Sequence, residues 1–199
     1  MARKYELKRR AERQEETQRR IVDATVALHE EIGPARTTIK AIAERAGVER
    51  LTVYRHFPDE ASLFGACGAR FRELHPPPDP AEWAATVEPV ERLRSALTAI
   101  YSFYRDNKAM LTNSARDAEH LPALQTARAP FGRYLSAVKG ILAAGWAAPT
   151  EPGMPDAALG HALDLQTWLS LTDRQGLSDA DAVELMVHFV SALRDEMGG

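Results

Sequence analysis

Six histidines, one cysteine and 28 acidic residues in 199 could in principle build a catalytic or metal site, so their spacing has to be read first. The histidines (His29, His56, His75, His120, His161, His188) are scattered. No His-Glu-x-x-His or Glu-x-x-His pair sets two ligands on one helix face. The lone Cys67 excludes an internal disulfide and any multi-cysteine metal site. It falls at helical spacing from Leu63, Phe64 and Phe71, the pattern of a core residue rather than a nucleophile. Arg116, Asp117 and His120 crowd together and read as a polar helix end. No catalytic residue, metal or cofactor is expected, and the chain is not read as an enzyme. The remaining chemistry is hydrogen bonding by Arg50, Thr52, Tyr54, Arg55 and His56, ranged around apolar Val53 and Phe57. Guanidinium groups pair with both acceptors of a guanine, and hydroxyls bind phosphate oxygens.

Helical periods dominate the elements that must position these groups, and no stretch alternates as a half-buried strand does. The expected fold is all-α. Helices are predicted over 6–31, 39–46, 49–57, 59–74, 89–107, 110–119, 122–146, 156–174 and 179–196. In the first, Ile21, Thr25, Leu28 and Ile32 form one stripe widened by Val22. Its nearly apolar-free first half should project from the core. Gly33-Pro34 ends it. Four prolines within 75–80 form a stiff connector, and Pro149, Pro152, Gly153 and Pro155 separate two later helices. Ser178 with Asp181 reads as a capping-box variant. Three segments follow: a basic arm over 1–17, a head over 18–74 and a helical body over 81–199.

Composition supports this division. Residues 1–56 carry 13 basic against 9 acidic side chains, whereas 57–199 carry 12 against 19. A basic head on an acidic body suits a polyanion that meets the head alone, although solvated helix faces account for the charge equally well. No apolar run reaches the roughly 20 residues of a membrane span, and the basic N-terminus has no apolar segment behind it to make a signal peptide. A cytoplasmic location is expected.

Within the head, Thr37 or Thr38 caps a short helix that buries Ile39, Ile42, Ala43 and Ala46. Gly47 falls where the chain must turn sharply. Val48, Val53 and Phe57 then anchor a second helix whose outer face carries the polar set above, the layout of a helix-turn-helix. The spacing Thr38-x-x-x-Ile42-Ala43-x-x-Ala46-Gly47-Val48-x-x-x-Thr52-x-Tyr54-x-His56-Phe57 resembles the DNA-binding domain of the TetR family of bacterial regulators, over about residues 18–74. The resemblance implies an N-terminal three-helix DNA-binding domain and a C-terminal helical domain for ligand binding and dimerisation.

It implies DNA contacts at Arg36, Thr37, Thr38, Glu49, Arg50, Leu51, Thr52, Tyr54, Arg55 and His56. Thr37, Thr38, Tyr54 and His56 would meet phosphates, and Glu49, Arg50 and Leu51 base edges. Tyr54 and His56 otherwise simply cover Phe57. Three departures stand out. Glu49 replaces a frequent serine cap, Leu51 a commonly small residue, and Glu60 a phosphate-binding lysine. Basic residues of the arm (Arg3, Lys4, Lys8, Arg9, Arg10, Arg13) either compensate on phosphates or the minor groove, or form a solvated tail.

For the body, the resemblance implies a pocket for a small organic effector. Tyr101, Phe103, Tyr104, Met110, Phe131, Tyr134 and Trp168 are candidates, with Trp83 and Trp146 behind them; ordinary core packing explains any one of these equally. Wide apolar faces on the last two helices (Leu159, Leu163, Trp168 and Leu169; Ala182, Leu185, Met186, Phe189, Val190 and Leu193) suit a homodimer built as a four-helix bundle. The expected function is a ligand-responsive regulator, a repressor released from a pseudo-palindromic double-stranded DNA operator. The alternative is a helical small-molecule-binding protein of the same fold with weak or lost DNA binding.

Overall fold

The computed structural model describes residues 2–146 and 153–195, with the side chains of 2–4, 7 and 193–195 outside the description. Pro149, Pro152, Glu196, the side chains of Arg3 and Lys4 and that of Leu193 therefore lie outside the described residues. All described regular structure is helical: α1 (Ala2–Ile32), a 3-10 turn (Pro34–Arg36), α2 (Ile39–Ala46), α3 (Arg50–His56), α4 (Glu60–Leu74), α5 (Ala81–Ala84), α6 (Pro89–Asp106), α7 (Lys108–Ala118), α8 (Pro122–Ala143), α9 (Met154–Ala162), α10 (Leu165–Leu169), a π turn (Ser170–Arg174) and α11 (Asp179–Asp195).

The chain divides into two compact units, Met1–Pro76 with Lys108–Ala129, and Pro77–Asn107 with Pro130–Gly199. Residues 108–129, which fall inside the 81–199 segment of the sequence reading, thus pack in the first unit. The division inside α8 coincides with Pro130, whose missing N–H removes one rung of the helix ladder.

In the first unit, α1 packs against α2, α4 and α7. Ile21, Val22 and Leu28 of α1 meet Ile42, Ala43 and Ala46 of α2, Val53 of α3 and Leu63 of α4 in one core. Ile32, expected on the buried stripe, is 37% exposed. The helix has reached its last residue there, and the turn at Gly33 carries the chain away from the core. In the second unit α6 and α9 pack on α11, and α5 seats Trp83 beside α6.

Two expectations for the second half need correction. The single helix over 156–174 is two short helices and a π turn. Asp164, whose carboxylate accepts the Gln166 N–H at 2.6 Å, starts a new helix where one was read as continuous. The helix over 122–146 ends at Ala143, and α5 was not foreseen. Along α11, the broad apolar face divides between core and surface. Ala182, Met186 and Val190 are buried, while Leu185 and Phe189 are 45% and 46% exposed. The Ser178 cap forms as expected. Its Oγ accepts from the Asp181 N–H at 3.1 Å and donates to Asp181 Oδ2 at 2.6 Å. No described helix is long and apolar enough to cross a membrane.

Candidate nucleic-acid interface

The geometry of the head follows from a few local choices. Thr38, rather than Thr37, caps α2, its Oγ1 accepting from the Ala41 N–H at 3.1 Å. Thr37 instead donates its hydroxyl to Gly33 O at 2.8 Å. Gly47 ends α2 in the left-handed conformation, φ 64° and ψ 42°, which a side chain adopts only with strain. The Val48 N–H then closes on Ala43 O at 2.9 Å, setting α3 across α2. Val53 is fully buried and Phe57 nearly so. At roughly 1.5–3 kcal/mol for each such side chain, these two hold α3 in place despite its being only seven residues long.

That anchoring decides what faces outward. Glu49, Arg50, Leu51, Tyr54 and Arg55 are exposed, Leu51 by 57% and Tyr54 by 48%, while Thr52 and His56 are half-buried. Arg36 and Thr38 are exposed and Thr37 half-buried. Glu49 precedes α3 without making a side-chain cap bond. Asp59 caps α4 by accepting from the Ser62 N–H at 2.7 Å, which draws its carboxyl below the usual range, and Glu60 follows it exposed. On α1, Arg10 and Arg13 share one open cleft with Thr52, Arg55 and His56 of α3. The arm is helical and lies beside the outward face of α3.

Several residues that hold this face in shape were not singled out from sequence. Arg20 of α1 donates to the carbonyls of Ala46 and, at 3.0 Å, Gly47, clasping the end of α2 at the turn. Arg45 pairs with Glu31 through two bonds of 2.6 and 2.7 Å, and this hydrogen-bonded pairing draws the Glu31 carboxyl below its usual range. Asp117, read as part of a polar helix end, is buried. It accepts the Ala35 N–H at 2.9 Å and the Arg116 Nε–H at 2.7 Å, and the Arg116 bond holds its carboxyl below the ordinary value. His120 stands apart and exposed. Asn113 donates to the carbonyls of His29 and Glu30 at 3.1 and 2.9 Å. Gly33, at φ 88°, has no room for a Cβ, which would lie 2.7 Å from the Asp117 carboxylate. The one available signal for these contacts was a glycine beside a proline at the end of α1. Partners more than 80 residues apart leave no periodic trace.

The pattern from Thr38 to Phe57 coincides with a match to the family model of bacterial regulatory proteins of the tetR family, over residues 21–67. The head, over residues 21–67, is a TetR-family domain. Among curated relatives, the HTH-type transcriptional repressor KstR of Mycolicibacterium smegmatis is 37% identical over 84 residues, 42% of this chain and 41% of that protein. The matches thus span less than half the length of these curated relatives. Among solved structures, a protein assigned to the TetR family from Mesorhizobium loti has a TM-score of 0.65 at 19% identity, covering 91% of this chain and 96% of that one. A TetR-like transcriptional regulator from Rhodococcus sp. RHA1 has 0.61 at 17%, covering 92% and 97%. These two likenesses establish a common all-helical fold. The family is one of regulators rather than enzymes.

Of the pocket candidates, Tyr101, Phe103, Tyr104, Phe131, Tyr134 and Trp168 lie in the second unit. Tyr104 lies 5.9 Å from Trp168 and 6.5 Å from Phe131 between ring centroids, and Phe131 stacks on Tyr134 at 5.7 Å. Tyr101 and Tyr104 are fully buried and donate to Ala162 O and Leu163 O at 2.8 and 2.6 Å. Burial pushes both phenols up, so both keep their donor proton. Met110 does not join them; it packs in the first unit with Val26, Cys67 and Phe71. Trp83 is buried and Trp146 half-buried, its Nε1–H bonded to Leu142 O at 2.7 Å.

Proposed function

We propose that this TetR-family chain is a ligand-responsive transcriptional repressor that reads a pseudo-palindromic double-stranded DNA operator as a homodimer. The observation that carries the reading is the outer face of α3. Arg50, Leu51, Tyr54 and Arg55 are held outward by a buried Val53 and Phe57, behind a left-handed Gly47 turn. A seven-residue helix so anchored fits a major groove, with Arg50 and Leu51 for base edges and Tyr54, Thr38 and Thr37 for phosphates. The cleft shared by Arg10, Arg13 and Arg55 supports a role for the arm on the backbone. Repression is favoured by the likeness to KstR, a transcriptional repressor.

A homodimer through the last two helices is supported by the exposed Leu185 and Phe189 of α11, apolar groups that a second copy would cover. The aromatic cluster around Tyr104 and the half-buried Phe131 and Tyr134 suits a small organic effector. A cytoplasmic location follows from a chromosomal target. The deciding experiment is fluorescence anisotropy with DNA from upstream of the protein's own gene, titrated at two salt concentrations beside scrambled DNA. Preferential binding that weakens steeply with salt and is impaired by Arg50→Ala supports the proposal. Absence of binding to any DNA at low salt refutes it and favours a small-molecule-binding protein of the same fold.

A further inference from the structure

Within the first unit, α7 grips the joint between α1 and α2 with two side chains. Asn113 holds the His29 and Glu30 carbonyls at the end of α1. Asp117, 5% exposed, divides its two oxygens: Oδ2 accepts the Ala35 N–H at 2.9 Å and Oδ1 the Arg116 Nε–H at 2.7 Å. Helix and joint meet closely, since a Cβ on Gly33 would lie 2.7 Å from Asp117 Oδ2 and 3.5 Å from the Asn113 Cβ. The Arg116 bond, the Ala35 N–H and the nearby Arg36 charge keep the buried carboxyl ionised.

The segment so gripped carries donors that face outward. Ala35 sits in the 3-10 turn 34–36, Arg36 follows it exposed, and Thr38 opens α2. The Thr38 hydroxyl accepts from the Ala41 N–H at 3.1 Å and keeps its own proton to give. Two backbone bonds, Arg36 N–H to Gly33 O at 3.3 Å and Thr37 N–H to Pro34 O at 3.1 Å, close the turn. Bonds of this kind have poor geometry. The carboxylate of Asp117 adds a charge-assisted one from outside the turn.

We propose that Asp117 is a positioning residue for DNA binding: by holding the Ala35 N–H it aims Arg36 and the Thr38 hydroxyl at the phosphate backbone of double-stranded DNA. It touches no DNA itself. The inference rests on the DNA-reading proposal and carries it beyond the head, because the family match ends at residue 67 and Asp117 lies on α7. Its sign is distinctive. Removing a negative charge from a DNA-binding unit by itself strengthens binding, whereas loss of the Asp117 bond weakens it.

The test compares the full native chain with Asp117→Ala and Asp117→Asn, by anisotropy on DNA from upstream of the gene over a series of salt concentrations. Asp117→Ala should bind about tenfold more weakly and lower the slope of log affinity against log salt by about one per head. A chain that is merely less stable loses affinity at an unchanged slope. Asp117→Asn, whose amide oxygen still accepts from Ala35, should return to within about threefold of native. With Arg36→Ala and Thr38→Ala already in place, Asp117→Ala should cost no more than about twofold. Undiminished binding by Asp117→Ala, or weaker binding at an unchanged slope, overturns the inference. So does an Ala35 amide that exchanges its hydrogen at the open-chain rate in the native chain without DNA, a measurement that needs no variant to fold. A native chain that binds no DNA at low salt sinks the DNA reading and this inference together; one that binds DNA no better than Asp117→Ala sinks this inference alone.

Discussion

Lowering the pH from 7 should destabilise the first unit with His29 as the largest single contributor. Unfolded, its imidazole titrates near 6.5. In the folded chain burial pulls it down to about 4, with the Asp117 charge on α7 opposing that shift only in part. The groups packed on the ring, Cys67 and Phe64 of α4, provide no counter-charge. Between the two values the unfolded state binds more protons than the native one, so stability is complete above pH 6.5 and declines as the pH falls toward 4. At about 1.4 kcal/mol per unit of separation, the full loss is about 3 kcal/mol, with roughly 1.4 kcal/mol gone by pH 5.5 and about 2.5 by pH 4.5. That is a large share of the 5–15 kcal/mol typical of a whole domain.

The measurement compares native chain and His29→Phe in urea at pH 7.0, 5.5 and 4.5. All three tryptophans (Trp83, Trp146, Trp168) lie in the second unit, so their fluorescence is the wrong probe. The amide resonances of Gly47 and Val53 report the head instead. Carboxylates held low in the fold, Asp117 and Glu31 among them, lose their contribution at lower pH in both proteins and cancel in the difference. The gap between the two proteins should therefore shift by about 2.5 kcal/mol in favour of the variant from pH 7.0 to 4.5. Parallel pH curves would refute the claim that His29 is buried neutral.

Thr38→Ala removes the α2 cap and should cost about 1 kcal/mol in urea unfolding; on the DNA-reading proposal it also weakens anisotropy-detected binding beyond what a remote destabilisation of equal size does. Gly47→Ala forces a Cβ into the left-handed region, 2.9 Å from the Arg20 guanidinium, and should cost on the order of 1–2 kcal/mol; an unchanged urea midpoint would contradict this. Tyr104→Phe leaves Leu163 O without its buried donor and should lower stability of the second unit by about 1–3 kcal/mol, read by Trp168 fluorescence. Glu60→Lys exchanges a carboxylate for a cation at the start of α4 and should tighten DNA binding at every sequence alike while steepening its salt dependence by about one charge.

What could be read from sequence was whatever repeats locally. The α2–turn–α3 geometry is written in the apolar period of Ile42, Ala43 and Ala46, the glycine at 47 and the return of apolar residues at Val53 and Phe57, all within 16 residues. Each of those choices agrees with its neighbours, which is why the outer face could be named before any coordinates. The same reasoning failed on 156–174, because an aspartate that looks like an ordinary polar helix residue caps a new helix at Asp164. Along α11 it named one wide apolar face, of which Ala182, Met186 and Val190 fill the chain's own core while Leu185 and Phe189 stay exposed. Period alone cannot divide residues that fill a chain's own core from those left for another surface.

The unforeseen contacts share a cause of a different kind. Asp117, Asn113 and Arg20 all satisfy main-chain groups at the ends of α1 and α2: the Ala35 N–H, the His29 and Glu30 carbonyls, and the Ala46 and Gly47 carbonyls. Helix ends leave such groups unpaired by construction, and a glycine terminus has no side chain with which to cap them. The short α2 and the abrupt Gly33 and Gly47 turns therefore leave donors and acceptors that distant side chains help to satisfy. A helix-turn-helix this compact requires helpers from outside its own 20 residues. The approach to α2 is accordingly tied to α7, and its end, just before α3, to the middle of α1.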